Sequence, residues 1–165
     1  MEIRAATPAD WDAIWPIFHA VVSAGDTYVY APETTKDEAF VYWMPPTASV
    51  YVAVDDDQVV GTYLFKPNQP GLGSHVANAA FMVSPNASRR GIGRAMGEHC
   101  LHEAKAAGYT AMQFNFVVSP NERAVALWKS LGFSIVGTLP RVFQHRTLGL
   151  VDAYVMHRFL DDIEA

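Results

Sequence analysis

Apolar and polar positions along the chain alternate between the two-residue period of strands and the longer period of helices. Glu2 to Ala6 reads as a short strand, and Thr7-Pro8 then offers a helix cap with proline at the first helical position. The helical pattern runs to about Ala24. Pro16 lies inside it and removes an amide donor, which predicts a kink or a late helix start. Gly25 to Pro32 is a loop carrying Tyr28 and Tyr30. Thr35 with Glu38 three residues later is a capping box that starts a second helix, lasting to about Trp43 and stopped by Pro45-Pro46. From Ser49 the period is that of strands. Val50, Val52 and Val54 alternate, Asp55-Asp56-Asp57 supplies a solvated turn, and Val59 to Phe65 returns as the hairpin partner. After a loop from Pro67 to Gly73, His75 to Val83 forms a third strand, and Gly91 to about Ala107 is helical with Gly108 as its stop. Ala111 to Val118 is a strand with Met112, Phe114, Phe116 and Val118 on one side. Pro120-Asn121 opens a helix that Gly132 ends, and Phe133 to Gly137 and Val151 to Phe159 close the chain as strands. The order β-α-α-β-β-β-α-β-α-β-β predicts a mixed α/β (α+β) sheet covered by helices.

A length of 165 residues fits one domain, and no low-complexity tract or internal repeat marks a boundary, so residues 1–165 are read as a single unit. Half of the residues are apolar and 18% are charged, enough to build a core. A formal charge of -5 is opposite in sign to the footprint of nucleic-acid or anionic-membrane binding, so neither partner is expected. The lone Cys100 excludes an internal disulfide and a cysteine-based zinc site. No apolar run approaches 18 residues and no signal core follows Met1, so a cytoplasmic protein is expected.

The candidate chemistry begins at Val83 to Ala95 (VSPNASRRGIGRA), where glycines stand at the handover from strand to helix. Glycine lets backbone amides approach an anion, and a helix N-terminus adds unpaired N–H donors. The glycines alone are equally consistent with an ordinary turn bearing exposed arginines. A Walker A loop is excluded because no Gly-Lys-Ser/Thr exists. A dinucleotide fingerprint fails at Met96, where glycine is needed, and at Gln113 and Asn115, where an acidic residue is expected.

The pattern Arg90-x-x-Gly93-x-Ala95, preceded by a strand ending Val83-x-Pro85 and followed by Asn121-x-x-Ala124-x-x-Leu127-Trp128-x-x-x-Gly132-Phe133, resembles the GCN5-related N-acetyltransferases (GNAT superfamily). Within that superfamily, GTYLFKPNQPGLGSHVANAAFMVS, RAMGEHC, MQFNFVVS and LGFSIVGTLP are similar to the L-azetidine-2-carboxylate acetyltransferases and their bacterial relatives. The resemblance implies the GNAT fold and acetyl-CoA as cosubstrate, without a metal. It further implies that Arg90, Gly91, Ile92, Gly93, Arg94 and Ala95 form the pyrophosphate loop, and that amides from Ile92 to Ala95 hold the diphosphate. The backbone of Phe81, Met82 and Val83 pairs with pantetheine, Asn121 touches the cofactor, and the protein is a homodimer.

Many family members place a tyrosine general acid where this chain has Trp128; its apolar helical neighbours make packing the simpler role here. A thiol, whose unperturbed pKa is about 8.5, leaves tolerably without an acid. In the azetidine-2-carboxylate relatives an asparagine with phenylalanine three positions later belongs to the substrate site, as Asn78 and Phe81 do by spacing. A regular strand points these to opposite faces, so sharing a pocket predicts a bulge. Asn115 resembles a second site asparagine. On residues alone, both asparagines are equally consistent with satisfaction by neighbouring backbone. Tyr28, Tyr30 and His145 are further acceptor-site candidates, with Arg146 beside His145 able to read a carboxylate. His99 and His102, flanking Cys100, lack a further ligand nearby and read as a packed helix face. The expected activity is acetyl transfer to the nitrogen of a small amino or imino acid by direct attack. The alternatives are another small amine, such as a herbicide-like amino acid or a polyamine, and a non-catalytic acyl-CoA-binding module.

Overall fold

The computed structural model describes residues 1–87 and 90–164. Seven strands form one sheet: β1 (Glu2–Ala5), β2 (Ser49–Asp55), β3 (Gln58–Pro67), β4 (Val76–Val83), β5 (Ala111–Val118), β6 (Ser134–His145) and β7 (Gly149–Phe159). Their spatial order is β1-β2-β3-β4-β5-β7-β6. Helices α1 (Trp11–Ala24) and α2 (Lys36–Trp43) follow β1, α3 (Ile92–Ala106) connects β4 to β5, and α4 (Glu122–Ser130) connects β5 to β6. The observed order is the predicted one.

Local signals account for most element ends. Thr35 Oγ1 accepts from Glu38 N at 3.3 Å while Thr35 N donates to Glu38 at 2.8 Å, the reciprocal capping box at the start of α2. At the first helix the α-helical part starts later than the Thr7-Pro8 cap, but Pro16 does not set its start. Pro8–Asp10 form a 3-10 turn, α1 begins at Trp11, and Pro16 is accommodated inside it. Asp56 and Asp57 take φ of 48° and 60°, which makes the β2–β3 connection a tight hairpin turn of the handedness that matches strand twist.

Two cores flank the sheet. Ile14, Phe18, Trp43, Val52, Leu64 and Met82 pack on the α1/α2 side, and Tyr63, Phe65, Ala79, Met96, Phe114 and Trp128 on the α3/α4 side. Successive β4 residues divide between these cores, as period two requires.

Three expectations are corrected. The stretch before the last strand is not a loop: β6 continues for 12 residues to His145 and pairs with β7 from Gly149 onward. Its register jumps between Leu139 and Phe143, where Pro140 lacks a ladder donor and Arg141 takes a φ of 53°, so no simple alternation marked it as strand. In β5 the register shifts between Phe114 and Val117, which turns Phe116 off the Met112/Phe114 face toward Phe143. The bulge expected in β4 is absent from its pairing with β3, which runs without a shift from Gly61↔Val83 to Pro67↔Ala77.

The feature that positions the site lies on the other edge of β4. Its parallel pairing with β5 is confined to Val76↔Ala111 and Ala77↔Met112, after which the two strands diverge. From Ala79 onward, alternate residues of β4 turn backbone groups without a strand partner to a gap in the middle of the sheet.

Candidate active site

Strand alternation decides which β4 peptides face this gap. Ser84 N donates to Val60 O at 2.8 Å, so Ser84, Met82 and Ala80 turn their hydrogen bonds toward β3, and Val83, Phe81 and Ala79 turn theirs toward the gap. Met82 therefore offers no backbone to a ligand there, and its side chain is buried in the α1/α2 core. Both groups of the Phe81 residue are held by one side chain. Tyr28 Oη accepts from Phe81 N at 2.9 Å and donates to Phe81 O at 2.5 Å.

A cavity of about 450 Å³ opens at the gap. Asn78 and Phe81 both line it although they belong to opposite faces of β4, because the missing β5 neighbour joins the two faces. Tyr28, Tyr30, Asn115 and Trp128 also line it. Asn78 Nδ2 donates to Gln113 O at 3.0 Å across the gap. Gln113 Nε2 donates to Asn115 Oδ1 at 2.9 Å, and Asn115 Nδ2 to Asn68 Oδ1 at 2.7 Å. The result is a chain of amide contacts that reaches the cavity wall at Asn78 and Asn115. The charged side chains of the described residues stay off its wall.

A second cavity of about 280 Å³ adjoins the first, sharing Val83, Asn121 and Ala124. It lies at the N-terminus of α3, where Gly91 takes a φ of 76° and caps the helix. Ala95 N is committed to Gly91 O at 3.0 Å, so the amides that precede it in the first turn, those of Ile92, Gly93 and Arg94, lack intrahelical acceptors. These three donors and the helix dipole suit a diphosphate. Asn121 Oδ1 caps α4 by accepting from Ala124 N at 3.2 Å, which sets its amide at the wall common to both cavities. A pantetheine chain running from the α3 end past Val83 to Phe81 would connect diphosphate and reacting carbon. The residues present therefore fit acetyl-CoA, which supplies the activated acyl carbon when bound.

The arginines are placed differently from one another. Arg90 is exposed and ion-paired with Asp55 at the β2–β3 turn. The N-terminal ammonium lies 3.3 Å from the same carboxylate and, with Arg90, holds it below the usual carboxylate range. Arg94 spans to Ser130 Oγ at 2.7 Å and lies 3.3 Å from Glu98, so its side chain ties α3 to α4. Ser88 and Arg89 of the glycine segment lie outside the described residues.

Sequence reasoning missed two contributors. Thr27 Oγ1 is buried in the wall of the first cavity without a hydrogen-bond partner among the described residues, and Arg123 lines the second. Thr27 sits in a loop with no period to read. Arg123 was signalled only by its place two residues after Asn121 in a helix facing α3. His145 is not brought to the cavity: its Nδ1 accepts from Thr147 N and Leu148 N at 3.2 Å and closes the β6–β7 turn. The adjacent Arg146 N donates to Gly25 O at 3.0 Å, docking that turn on the end of α1. His99 Nδ1 is 2.7 Å from Tyr63 Oη, and burial holds His99 below its ordinary pKa. Among the described residues no group of three or more His, Cys, Asp or Glu is arranged to hold a metal.

A sheet that opens between its two parallel strands, with a diphosphate-sized helix end beside the opening, defines an acyl-CoA-dependent transferase fold. The Acetyltransferase (GNAT) family model matches residues 12–133. The chain belongs to that family and is an acetyl-CoA-dependent N-acetyltransferase. It is 28% identical to the N-acetyltransferase aca1 of Schizosaccharomyces pombe, over 87% of this chain and 77% of that protein. It is 29% identical to the peptidyl-lysine N-acetyltransferase YjaB of Escherichia coli, over 83% of this chain and 84% of that one. Among solved structures, a GCN5-related N-acetyltransferase from Kribbella flavida superimposes with a TM-score of 0.92 at 48% identity, covering 96% of each chain. The yncA acetyltransferase of Salmonella typhimurium, solved with acetyl-CoA, shares the fold at a TM-score of 0.86 and 24% identity, over 100% of this chain and 96% of that one.

Proposed function

We propose that the protein transfers acetyl from acetyl-CoA to the nitrogen of a small amino or imino acid, azetidine-2-carboxylate or a related cyclic imino acid, by direct attack and without a covalent enzyme intermediate. The observation that carries this reading is the meeting of Asn78 and Phe81 at one cavity, with the gap-facing Phe81 peptide between them. Amide N–H groups at Asn78 and Asn115 suit an acceptor carboxylate, and the rings of Phe81 and Trp128, 4.8 Å apart, suit its hydrocarbon part. The uncharged wall speaks against a polyamine or lysine acceptor, which is ordinarily matched by carboxylates, and leaves an acceptor carboxylate to the amide donors. The nitrogen must arrive neutral, and its proton leaves through water.

The test is acetyl-CoA-dependent thiol release with L-azetidine-2-carboxylate, proline, a primary amino acid, spermidine and a lysine peptide, against a blank without acceptor. Release with the imino acid is expected. Asn78→Ala should then raise its KM about tenfold or more through the lost amide bond, with the acetyl-CoA KM unchanged. Turnover only with spermidine or the peptide replaces the acceptor class.

The same proposal includes a cytoplasmic homodimer. Its support is the outer strand of the sheet, β6, and its partner β7, which expose Val136, Val142, Leu150 and Phe159, with Leu148 exposed in the turn between them. No helix among the described residues is long and apolar enough to cross a membrane. Light scattering on the purified protein should give twice the 18.2 kDa chain mass, and a monomer at micromolar concentration overturns the dimer.

A further inference from the structure

From the double hydrogen bond between Tyr28 and the Phe81 peptide we infer that Tyr28 is a catalytic hydrogen-bond donor, which shares with Phe81 N–H the stabilisation of the oxyanion formed on the acetyl carbonyl. The inference rests on acetyl transfer at this site and not on the identity of the acceptor.

The Phe81 N–H faces the gap where β5 has left β4, so it is the backbone donor aimed at the space a thioester carbonyl must enter. That space is already taken by an oxygen: Tyr28 Oη stands 2.9 Å from Phe81 N, at the distance a carbonyl acceptor takes. An incoming carbonyl oxygen displaces the hydroxyl by about one hydrogen-bond length, ~3 Å, and leaves its O–H within reach of the new oxygen. Packing keeps the Tyr28 ring beside the gap while its hydroxyl gives way to the carbonyl. Its ring stacks on Tyr30 with centroids 6.2 Å apart and 7° between planes, and meets Trp43 edge-on at 6.3 Å. Burial pushes its pKa up, so the hydroxyl keeps its proton and acts as a donor throughout the working pH range. With Trp128 in place of an acidic side chain on α4, Tyr28 is the hydroxyl the structure sets beside the reacting peptide.

In the step, the amine lone pair forms the N–C bond and the carbonyl π pair moves onto oxygen, where Phe81 N–H and Tyr28 O–H hold it. The pair then re-forms the carbonyl while the C–S bond breaks, its electrons leaving on sulfur as thiolate. The proton of the new ammonium passes to water, and Tyr28 neither gains nor loses one.

Tyr28→Phe removes the hydroxyl and keeps the ring stack. Loss of one oxyanion donor is expected to lower kcat about 100-fold, with KM for acetyl-CoA and Kd for coenzyme A both within about threefold of wild type. A second readout needs no acceptor. The stretch of the ¹³C-labelled thioester carbonyl of bound acetyl-CoA, read by difference infrared spectroscopy, should lie at higher frequency in the variant because one hydrogen bond is gone. A purely structural role would instead lower Tm and weaken coenzyme A binding while leaving that stretch in place. An unchanged stretch, or a kcat within threefold of wild type, overturns the proposal. Failure of the acceptor assignment shows separately, in the wild-type acceptor panel, because the variant ratio can be taken with any amine that turns over or with water as acceptor.

Discussion

Gly93→Leu should abolish useful acetyl-CoA binding while leaving the protein as stable as before or more so. Gly93 lies in the first turn of α3, and a Cβ placed there stands 3.5 Å from Leu127 Cδ2 and 3.9 Å from Val83 Cγ2, ordinary contacts. A methyl group therefore fits, whereas the rest of a leucine side chain must enter the 280 Å³ cavity beside the unpaired amides of Ile92 to Arg94. The backbone gains part of the helix-interior difference, in which glycine is about 0.8–1.0 kcal/mol worse than alanine and leucine ranks close to alanine, because Gly93 lies in the first turn. Charge-assisted hydrogen bonds are each worth about 1.5–3 kcal/mol, so excluding a diphosphate from two of them weakens acetyl-CoA about 100-fold or more. Gly93→Ala is the paired control, expected to raise stability by about 0.5–1 kcal/mol and to change affinity little. Calorimetric titration with acetyl-CoA and thermal melting of both variants check this. Unchanged affinity in Gly93→Leu would remove the diphosphate from the α3 end.

The glycine segment is legible in the sequence because a strand, a turn and a helix start are local events, each with its own residue chemistry. The Thr35/Glu38 box and the Asn121 cap are legible for the same reason. What the sequence could not show is the divergence of β4 from β5. It depends on how two strands separated by a whole helix are set against each other, and no residue in either strand announces it. That divergence, not a bulge, lets Asn78 and Phe81 share a cavity across the sheet. It also gives Tyr28 its role, since a loop tyrosine with no periodic context becomes the partner of one peptide only because that peptide lacks a strand neighbour. His145 fails in the opposite direction. A histidine before the last strand looks available for an acceptor, but residues 138–145 join the sheet, and the imidazole closes their turn.

Trp128→Ala should destabilise the protein severely, and Trp128→Phe should leave transfer nearly intact. The indole is 8% exposed and lies with its ring centroid 4.8 Å from both Phe81 and Phe114 and 6.2 Å from Phe133, bridging α4 to β4 and β5 below the open gap. It also closes on α3, where a Cβ added at Gly97 would stand 3.2 Å from Trp128 Cζ3. Truncating such a side chain to alanine costs about 3–5 kcal/mol, a large part of the roughly 5–15 kcal/mol that holds a domain of this size together. Phenylalanine keeps an aromatic plane at the same wall. An indole N–H donates hydrogen bonds but is no acid in water, so Trp128 cannot supply the proton that a tyrosine at this place supplies in many relatives. If the thiolate leaves unaided, kcat of Trp128→Phe stays within about threefold of wild type, and any loss tracks the fall in Tm. A kcat reduced 100-fold at unchanged Tm would instead assign the indole N–H a part in the reaction that its packing does not require. Chemical denaturation of the alanine variant, with steady-state kinetics of the phenylalanine variant on one acceptor, separates the two roles of a residue that is at once core and cavity wall.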